Sequence, residues 1–424
     1  MSIKALKGFK DILPDEVGLW QFIEQTARDI FHRYGFEEFK VPILEKTELF
    51  VRTIGESTDI VEKEMYTFAD RNGSSVTMRP EGTAPVIRSY IENGLYVRGS
   101  VQRLYTIGPM FRHERPQKGR LRQFHQMSVE TLGSNSARID TEVMAMAWQV
   151  LQEIGLQASM EINSLGCPAC RPSFKEALLE FLQLRLESLC EDCRRRSSSN
   201  PLRVLDCKSE HCQAEYATAP AIIDHLCTAC SDHFAEVRQT LDLLDVPYAV
   251  NAKMVRGLDY YTRTTFELIT TELGAQGAIG AGGRYDGLVQ QLGGPEVPGI
   301  GFAMGMERLV MLLGQKQKVA AGAAPDLFLV TLGEAASEKG FVLLQLLRSQ
   351  GLRVMMDHEG RSLKNQMKQA DKCNAGFALI LGDNELAKRE VVLKDMYSGE
   401  QKLVDLPSAF ADWAAAIREK IRQQ

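Results

Sequence analysis

Two glycine-rich stretches late in the chain constrain its fold more than any other feature. The first is Gly280-Ala281-Gly282-Gly283-Arg284-Tyr285-Asp286-Gly287. The second is Gly299-Ile300-Gly301-Phe302-Ala303-Met304-Gly305-Met306-Glu307-Arg308. Runs of glycine let the backbone approach a ligand closely. The first run is not a P-loop, because no Gly-Lys-Ser/Thr follows, and it is not a dinucleotide-binding turn, because no strand–helix–strand pattern surrounds it. The second run reads as a strand that meets a helix, with Arg308 in the helix's early turn. A turn between strands accounts equally well for the first run, and a surface arginine for Arg308.

Two further segments carry chemistry. From Arg103 to Gln126 an apolar strand enters a loop and returns as a second strand. Between residues 112 and 122 that loop holds five Arg/Lys against one Glu, a basic tip suited to a polyanion or to plain solvation. The chain as a whole is acidic, with a formal net charge of −5. Nucleic acid would therefore be met by patches, and a generally basic coat is excluded. The other segment, Val255-Arg256-Gly257-Leu258-Asp259-Tyr260-Tyr261, sets a guanidinium beside flexible backbone and two aromatic rings.

The surroundings divide into regions. Residues 15–34 have apolar side chains at helical spacing, and Gly35 stands where a helix ends. Residues 36–42 alternate as a half-buried strand does, with Pro42 at an edge or end. A helix is expected over 84–94 and another over 140–155, with Asp140 as its N-cap. Residues 315–325 read as a linker. The strands and helices after it predict a small α/β domain with crossovers. Eight of the nine cysteines fall between 167 and 230, in a mostly helical region that reads as an insertion. They form the pairs Cys167/Cys170, Cys190/Cys193, Cys207/Cys212 and Cys227/Cys230. No stretch approaches ~18 uninterrupted apolar residues and no signal peptide is visible, so a cytoplasmic location is expected. Disulfides are disfavoured there. The four pairs would fill one or two tetrahedral four-sulfur zinc sites, with reduced thiols or a redox role as alternatives.

The order of these elements resembles the class II aminoacyl-tRNA synthetases. Phe111-Arg112-His113-Glu114 is similar to motif two of that class, and Gly301 through Arg308 to motif three. The helix and strand ending at Pro42 resemble the dimer-forming motif one. Gly8-Phe9-Lys10-Asp11-Ile12-Leu13-Pro14, Arg79-Pro80-Glu81-Gly82-Thr83, the Arg256–Tyr261 string and Gly282–Asp286 resemble the histidyl-tRNA synthetase family specifically. The resemblance implies an α+β fold. Its catalytic core is an antiparallel sheet, in two parts over 1–158 and 251–318, with a helical insertion over 159–250. A mixed α/β anticodon-binding domain follows over 325–424.

The resemblance also implies a chemistry: histidine is joined to ATP as an adenylate with release of pyrophosphate, then passed to the 3′-terminal adenosine of its tRNA. Arg112, Arg256 and Arg308 are the implied catalytic cations, and with Glu114 they are the implied ATP contacts. Arginine suits the task because its planar donors remain charged and bind phosphate bidentately. Glu81, Gly82, Thr83, Arg112, Gln126, Glu130, Arg256, Tyr260 and Tyr261 are the implied histidine contacts, with Glu130 and Tyr261 reading the ring. Arg115, Gln117 and Arg122 are the residues expected at the tRNA acceptor end. ATP would carry Mg²⁺, and the protein is expected to be a homodimer with no membrane contact. Many members of the family have the insertion without its cysteines, so zinc is not implied by the resemblance. The rival is a non-catalytic synthetase-like regulatory subunit of ATP phosphoribosyltransferase. Its relatives typically lack the anticodon domain and the catalytic motifs that stand here.

Overall fold

The computed structural model describes residues 3–56, 58–99, 101–207, 209–272, 277–316 and 324–422. Most of the linker read over 315–325 lies outside the described residues. The chain forms two compact units, Met1–Val319 and Ala320–Gln424.

The first unit is built on an eight-stranded sheet. Its strands run in the order Glu37–Glu38, Gln102–Phe111, Gln123–Leu132, Gly299–Gly305, Ala278–Arg284, Thr262–Ile269, Ser159–Ser164 and Tyr248–Val250. The six central strands pair antiparallel, and the two edge pairs are parallel. This is the antiparallel core expected. The basic loop is the tip of the hairpin formed by Gln102–Phe111 and Gln123–Leu132. The first glycine run is not a turn. It is a central strand, and the second run is its neighbour, with Gly301 opposite Gly283 and Ala303 opposite Ala281.

Side chains alternate across a pleated sheet, so one face is apolar and the other is not. Met127, Val129, Phe266, Leu268, Ile300, Phe302 and Met304 point into one buried cluster. The helices Pro14–Arg33, Ala137–Glu153 and Met306–Lys316 cover it. Pro14–Arg33 buries Leu19, Trp20, Ile23, Ala27, Ile30 and Phe31, the i, i+3, i+4 stripe expected. Gly35, just past its end, adopts φ +76°. The strand expected over 36–42 shrinks to Glu37–Glu38 at the sheet edge. Glu37–Glu38 has an unpaired outer side, and Pro42 offers no ladder donor.

The expectation that Asp140 caps a helix fails. The helix begins at Ala137, and Ser136 accepts from the Arg138 backbone N–H as N-cap. Asp140 is buried in the first turn, where it receives the Arg284 guanidinium at 2.7 Å and His233 Nε2 at 2.8 Å. Arg284 also reaches Asp286 at 2.8 Å. The arginine of the first glycine run is thus consumed by the core.

The strands Ser159–Ser164 and Tyr248–Val250, at the two ends of the cysteine-rich region, belong to the large sheet. Between them lie the helices Arg171–Gln183, Glu191–Ser199, Glu210–Glu215 and Thr228–Leu243 with short 3₁₀ turns. A small sheet of Leu44–Lys46, Ser75–Met78 and Tyr66–Ala69 completes this unit.

The second unit is a mixed five-stranded sheet in the order Val354–Met356, Leu327–Leu332, Phe377–Gly382, Glu390–Asp395 and Gln401–Asp405. The first three strands are parallel and are joined through the helices Glu334–Ser349 and Leu363–Lys372. The last two pair antiparallel. The closing helix starts at Trp413, whose indole donates to the Pro407 carbonyl.

Candidate active site

The face of the large sheet opposite its helical cover is paved with small residues. Gly301, Ala303 and Gly305 lie beside Glu130, Ser128 and Gln126, and Ala281 lies beyond Ala303. A strand floor without bulk leaves a trough. Two adjoining chambers occupy it, of about 200 Å³ and 320 Å³. Arg112, Gln126, Ile60, Gly257, Ala281 and Ala303 line both, so Arg112 and Gln126 stand at the junction.

The smaller chamber is walled by Glu81, Gly82, Thr83, Ser128, Arg256, Tyr260, Tyr261 and Tyr285. Glu81 precedes the helix Thr83–Glu92 and accepts the backbone N–H groups of Thr83 and Ala84 at 2.8 and 2.7 Å. Burial pushes its carboxyl up, against those hydrogen bonds and the charge of Arg112. Tyr260 and Tyr261 meet with ring centroids 4.7 Å apart. The Arg256 guanidinium lies 5.7 Å from the Tyr261 ring centroid and pairs with Glu267. Burial opposes its charge, yet Glu267 and the neighbouring Tyr261 and Asp206 hold its pKa above the ordinary value. Gln126 Oε1, Ser128 Oγ and Arg256 Nε are buried without a hydrogen-bond partner among the described residues. Groups of this kind are rare and need a reason. Three converging here give the chamber unused polar capacity.

Glu130 does not line the chamber. It sits one layer behind, with Oε1 accepting from Thr83 Oγ1 at 2.7 Å and Oε2 from Tyr285 OH. Burial raises its pKa to about 8, further supported by the charge of Glu81.

The larger chamber holds Glu64, Glu114, Gly119, Arg120, Glu307 and Arg308, with Arg203 and Asp206 from the insertion. Arg112 donates Nε to the Pro80 carbonyl at 2.8 Å and lies over the Phe124 ring. Arg308 donates to the Ala278 carbonyl. Its pKa is lowered by burial and by the neighbouring Arg120. Two cations held together while partly desolvated create an anion site. Glu307 accepts the His125 backbone N–H at 2.8 Å and contacts its ring, which ties the start of the arginine-bearing helix to the hairpin.

The residues assigned to the acceptor end divide. Arg115 and Gln117 are exposed on the loop, where Gln117 and Arg120 close a tight turn with Gly119 at φ +75°. Arg122 is half-buried instead. Its backbone N–H donates to the Gly8 carbonyl and its Nε to that of Glu114, so it anchors the loop's base.

The sequence reading missed Tyr285, Ser128, Ile60, Arg120 and the insertion's Arg203 and Asp206. Ser128 had a signal, since it lies two residues from both Gln126 and Glu130 on one strand. Arg203 and Asp206 had none, because only tertiary folding brings the insertion to the chamber. The cysteines gather into two groups, Cys167, Cys170, Cys227, Cys230 and Cys190, Cys193, Cys207, Cys212.

Comparison with known proteins accords with this geometry. The family model for histidyl-tRNA synthetase matches residues 8–309, and the model for an anticodon binding domain matches 326–413. The histidine--tRNA ligase of Desulfotalea psychrophila is 60% identical over 95% of this chain and 93% of its own length. That of Trichlorobacter lovleyi is 57% identical over 98% and 99%. The crystal structure of apo Staphylococcus aureus histidyl-tRNA synthetase superposes with a TM-score of 0.83 at 36% identity, covering 97% of this chain and all of that one.

Proposed function

Because the chain belongs to the histidyl-tRNA synthetase family, we propose that its two chambers divide the substrates of that reaction, histidine in the smaller and ATP in the larger. The protein attaches histidine to its tRNA, using ATP. The regulatory-subunit alternative is not favoured, since ligases match the chain end to end and an anticodon-binding domain is present.

Arg112 carries the reading. It borders both chambers, where the histidine carboxylate must meet the α-phosphorus. Charge develops on the phosphate oxygens there, and a fixed guanidinium stabilises it without reorganising. Arg256 approaches the same point from the histidine side and Arg308, with Arg120, from the phosphate side. Glu81 and Gln126 accept the substrate ammonium, with Gly82 and Thr83 shaping that corner. Tyr260 and Tyr261 enclose the ring. Glu130 and Tyr261 read the ring, Glu130 through Thr83 and Tyr285, which its two oxygens hold in place. A pocket that pairs both ring nitrogens rejects apolar isosteres, since its own groups would be left unpaired.

ATP enters as its Mg²⁺ complex. Burial and nearby Glu114 raise the Glu64 carboxyl, so a cation facing the two would relieve their repulsion. Glu114 also braces Arg120 at 3.2 Å. Arg115 and Gln117 face the tRNA acceptor end, and Arg122 fixes the loop that presents them. The insertion's eight cysteines are ligands for structural zinc and take no part in the chemistry. The domain reading is the core over 1–158 and 251–318, the insertion over 159–250 and the anticodon domain over 325–424. The working form is a homodimer in the cytoplasm. No helix among the described residues is long and apolar enough to cross a membrane.

ATP–pyrophosphate exchange with each of the twenty amino acids tests the assignment. Exchange is expected with histidine alone; exchange with another amino acid, or with none, overturns it.

A further inference from the structure

The insertion has a small apolar core, built on Phe174, Leu178, Leu182, Leu189, Val204 and Ile222, and Cys193 and Cys212 are buried in it. Its helix Glu191–Ser199, with sequence EDCRRRSSS, offers Cys193 as its one apolar side chain. Glu210–Glu215 likewise buries only Cys212. Elements so short and polar are marginal without a staple.

The cysteines do not pair in sequence order across one site. Cys167 and Cys170 meet Cys227 and Cys230, while Cys190 and Cys193 meet Cys207 and Cys212. Within each group all four sulfurs lie within 4.8 Å of one another. The Cys167–Cys170, Cys167–Cys227 and Cys190–Cys207 sulfur separations are 3.7, 3.9 and 3.9 Å. A tetrahedral ion with Zn–S of ~2.3 Å has sulfur–sulfur edges of about 3.8 Å. The backbone N–H of Cys227 donates to Cys170 Sγ at 3.1 Å, and that of Cys190 to Cys212 Sγ at 3.3 Å. Backbone donors to sulfur of this kind fix the orientation of a ligand at a metal centre.

The first group also stands at the root of the insertion. Cys167 directly follows Gly166, which accepts the Arg263 backbone N–H at 2.9 Å. Arg171, one residue after Cys170, donates to the carbonyl of Tyr261, whose ring lines the smaller chamber.

We propose that the insertion carries two independent four-cysteine zinc centres, and that the one at Cys167, Cys170, Cys227 and Cys230 clamps the Tyr261 wall through Arg171. The clamp rests on reading that chamber as the histidine site; the centres themselves do not. Arg171 is then a positioning residue, since it reaches backbone and not substrate.

The full chain, purified without chelator in reducing buffer, should hold two zinc ions by elemental analysis. Replacement by cobalt should give thiolate charge-transfer and tetrahedral d–d bands that saturate at two equivalents. The double variants Cys190→Ser/Cys193→Ser and Cys227→Ser/Cys230→Ser should each retain one ion. A single site shared between the groups would lose all metal in both, which overturns the pairing. No bound metal after reconstitution, or eight thiols recovered as four disulfides by mass, overturns the centres. For the clamp, Arg171→Gln should keep two zinc ions and the ATP KM while raising the histidine KM about tenfold, the worth of one charge-assisted hydrogen bond. An unchanged histidine KM overturns the clamp alone. Exchange by the parent with another amino acid would overturn the histidine reading and leave the metal count as it stands.

Discussion

Thr83 donates its hydroxyl to Glu130 at 2.7 Å, from the first residue of one helix to the buried half of a central strand. Tyr285 takes the other carboxylate oxygen. A carboxyl buried so completely and pushed up to about 8 holds its proton near neutrality, while the unfolded chain has released it. Folding thus takes up a proton between about pH 5 and 8 and stability falls as pH rises through that window, by at most ~1.4 kcal/mol per pH unit from this group.

Glu130→Gln should therefore flatten the fall. Chemical denaturation from pH 5 to 9 would show the variant gaining on the parent as pH rises; parallel curves would refute the assignment.

Gly301 is opposite Glu130 in the sheet register. A methyl group there would meet Glu130 Oε2 at 2.1 Å and the Val129 carbonyl at 2.2 Å. Gly301→Ala should destabilise by roughly 1–3 kcal/mol, the cost of overpacking, and depress histidine-dependent exchange. Thermal melts and exchange rates check both.

Arg256→Ala should lower the adenylation rate by about 10²-fold or more, as removing a transition-state donor does. Arg256→Lys should recover little, because an ammonium cannot reproduce the planar fork. Single-turnover formation of histidyl-adenylate is the measurement, and a parental rate in the alanine variant would dismiss Arg256 from catalysis.

Arg115→Ala should weaken tRNA binding and leave ATP–pyrophosphate exchange at the parental rate. If Arg115 contacts a phosphate, the slope of log affinity against log salt should become shallower by about one. An unchanged slope removes Arg115 from the interface.

Asp140→Asn should be severe although Asp140 touches neither chamber. It leaves Arg284 buried with its strongest partner neutralised, at a cost of ~3–5 kcal/mol. A denaturation midpoint near the parent's would show that water or Asp286 replaces it.

Much of the site was legible before the fold was known, and the limits have physical causes. Arg112 stood out beside Phe111, Arg256 beside Gly257, and Arg308 at the start of the helix that follows a glycine-rich strand, and all three line the chambers. The pairs of cysteines were visible, but their partnership was not: Cys167 finds Cys227 sixty residues away, and spacing carries no record of that. Asp140 was misjudged for a related reason. Its position near a helix start suggested a cap, whereas the residue that claims it, Arg284, lies 144 positions on.

The sequence by itself determined the family, the two-part organisation and the kinds of residue the chemistry needs, because motif order and periodicity are local properties. Only the tertiary structure decided which glycine run forms the trough floor, which arginine is spent on the core and which cysteines share a centre. These are questions of register and long-range pairing. They are settled by burying one face of a sheet under helices, an outcome to which every strand contributes and which no single segment encodes.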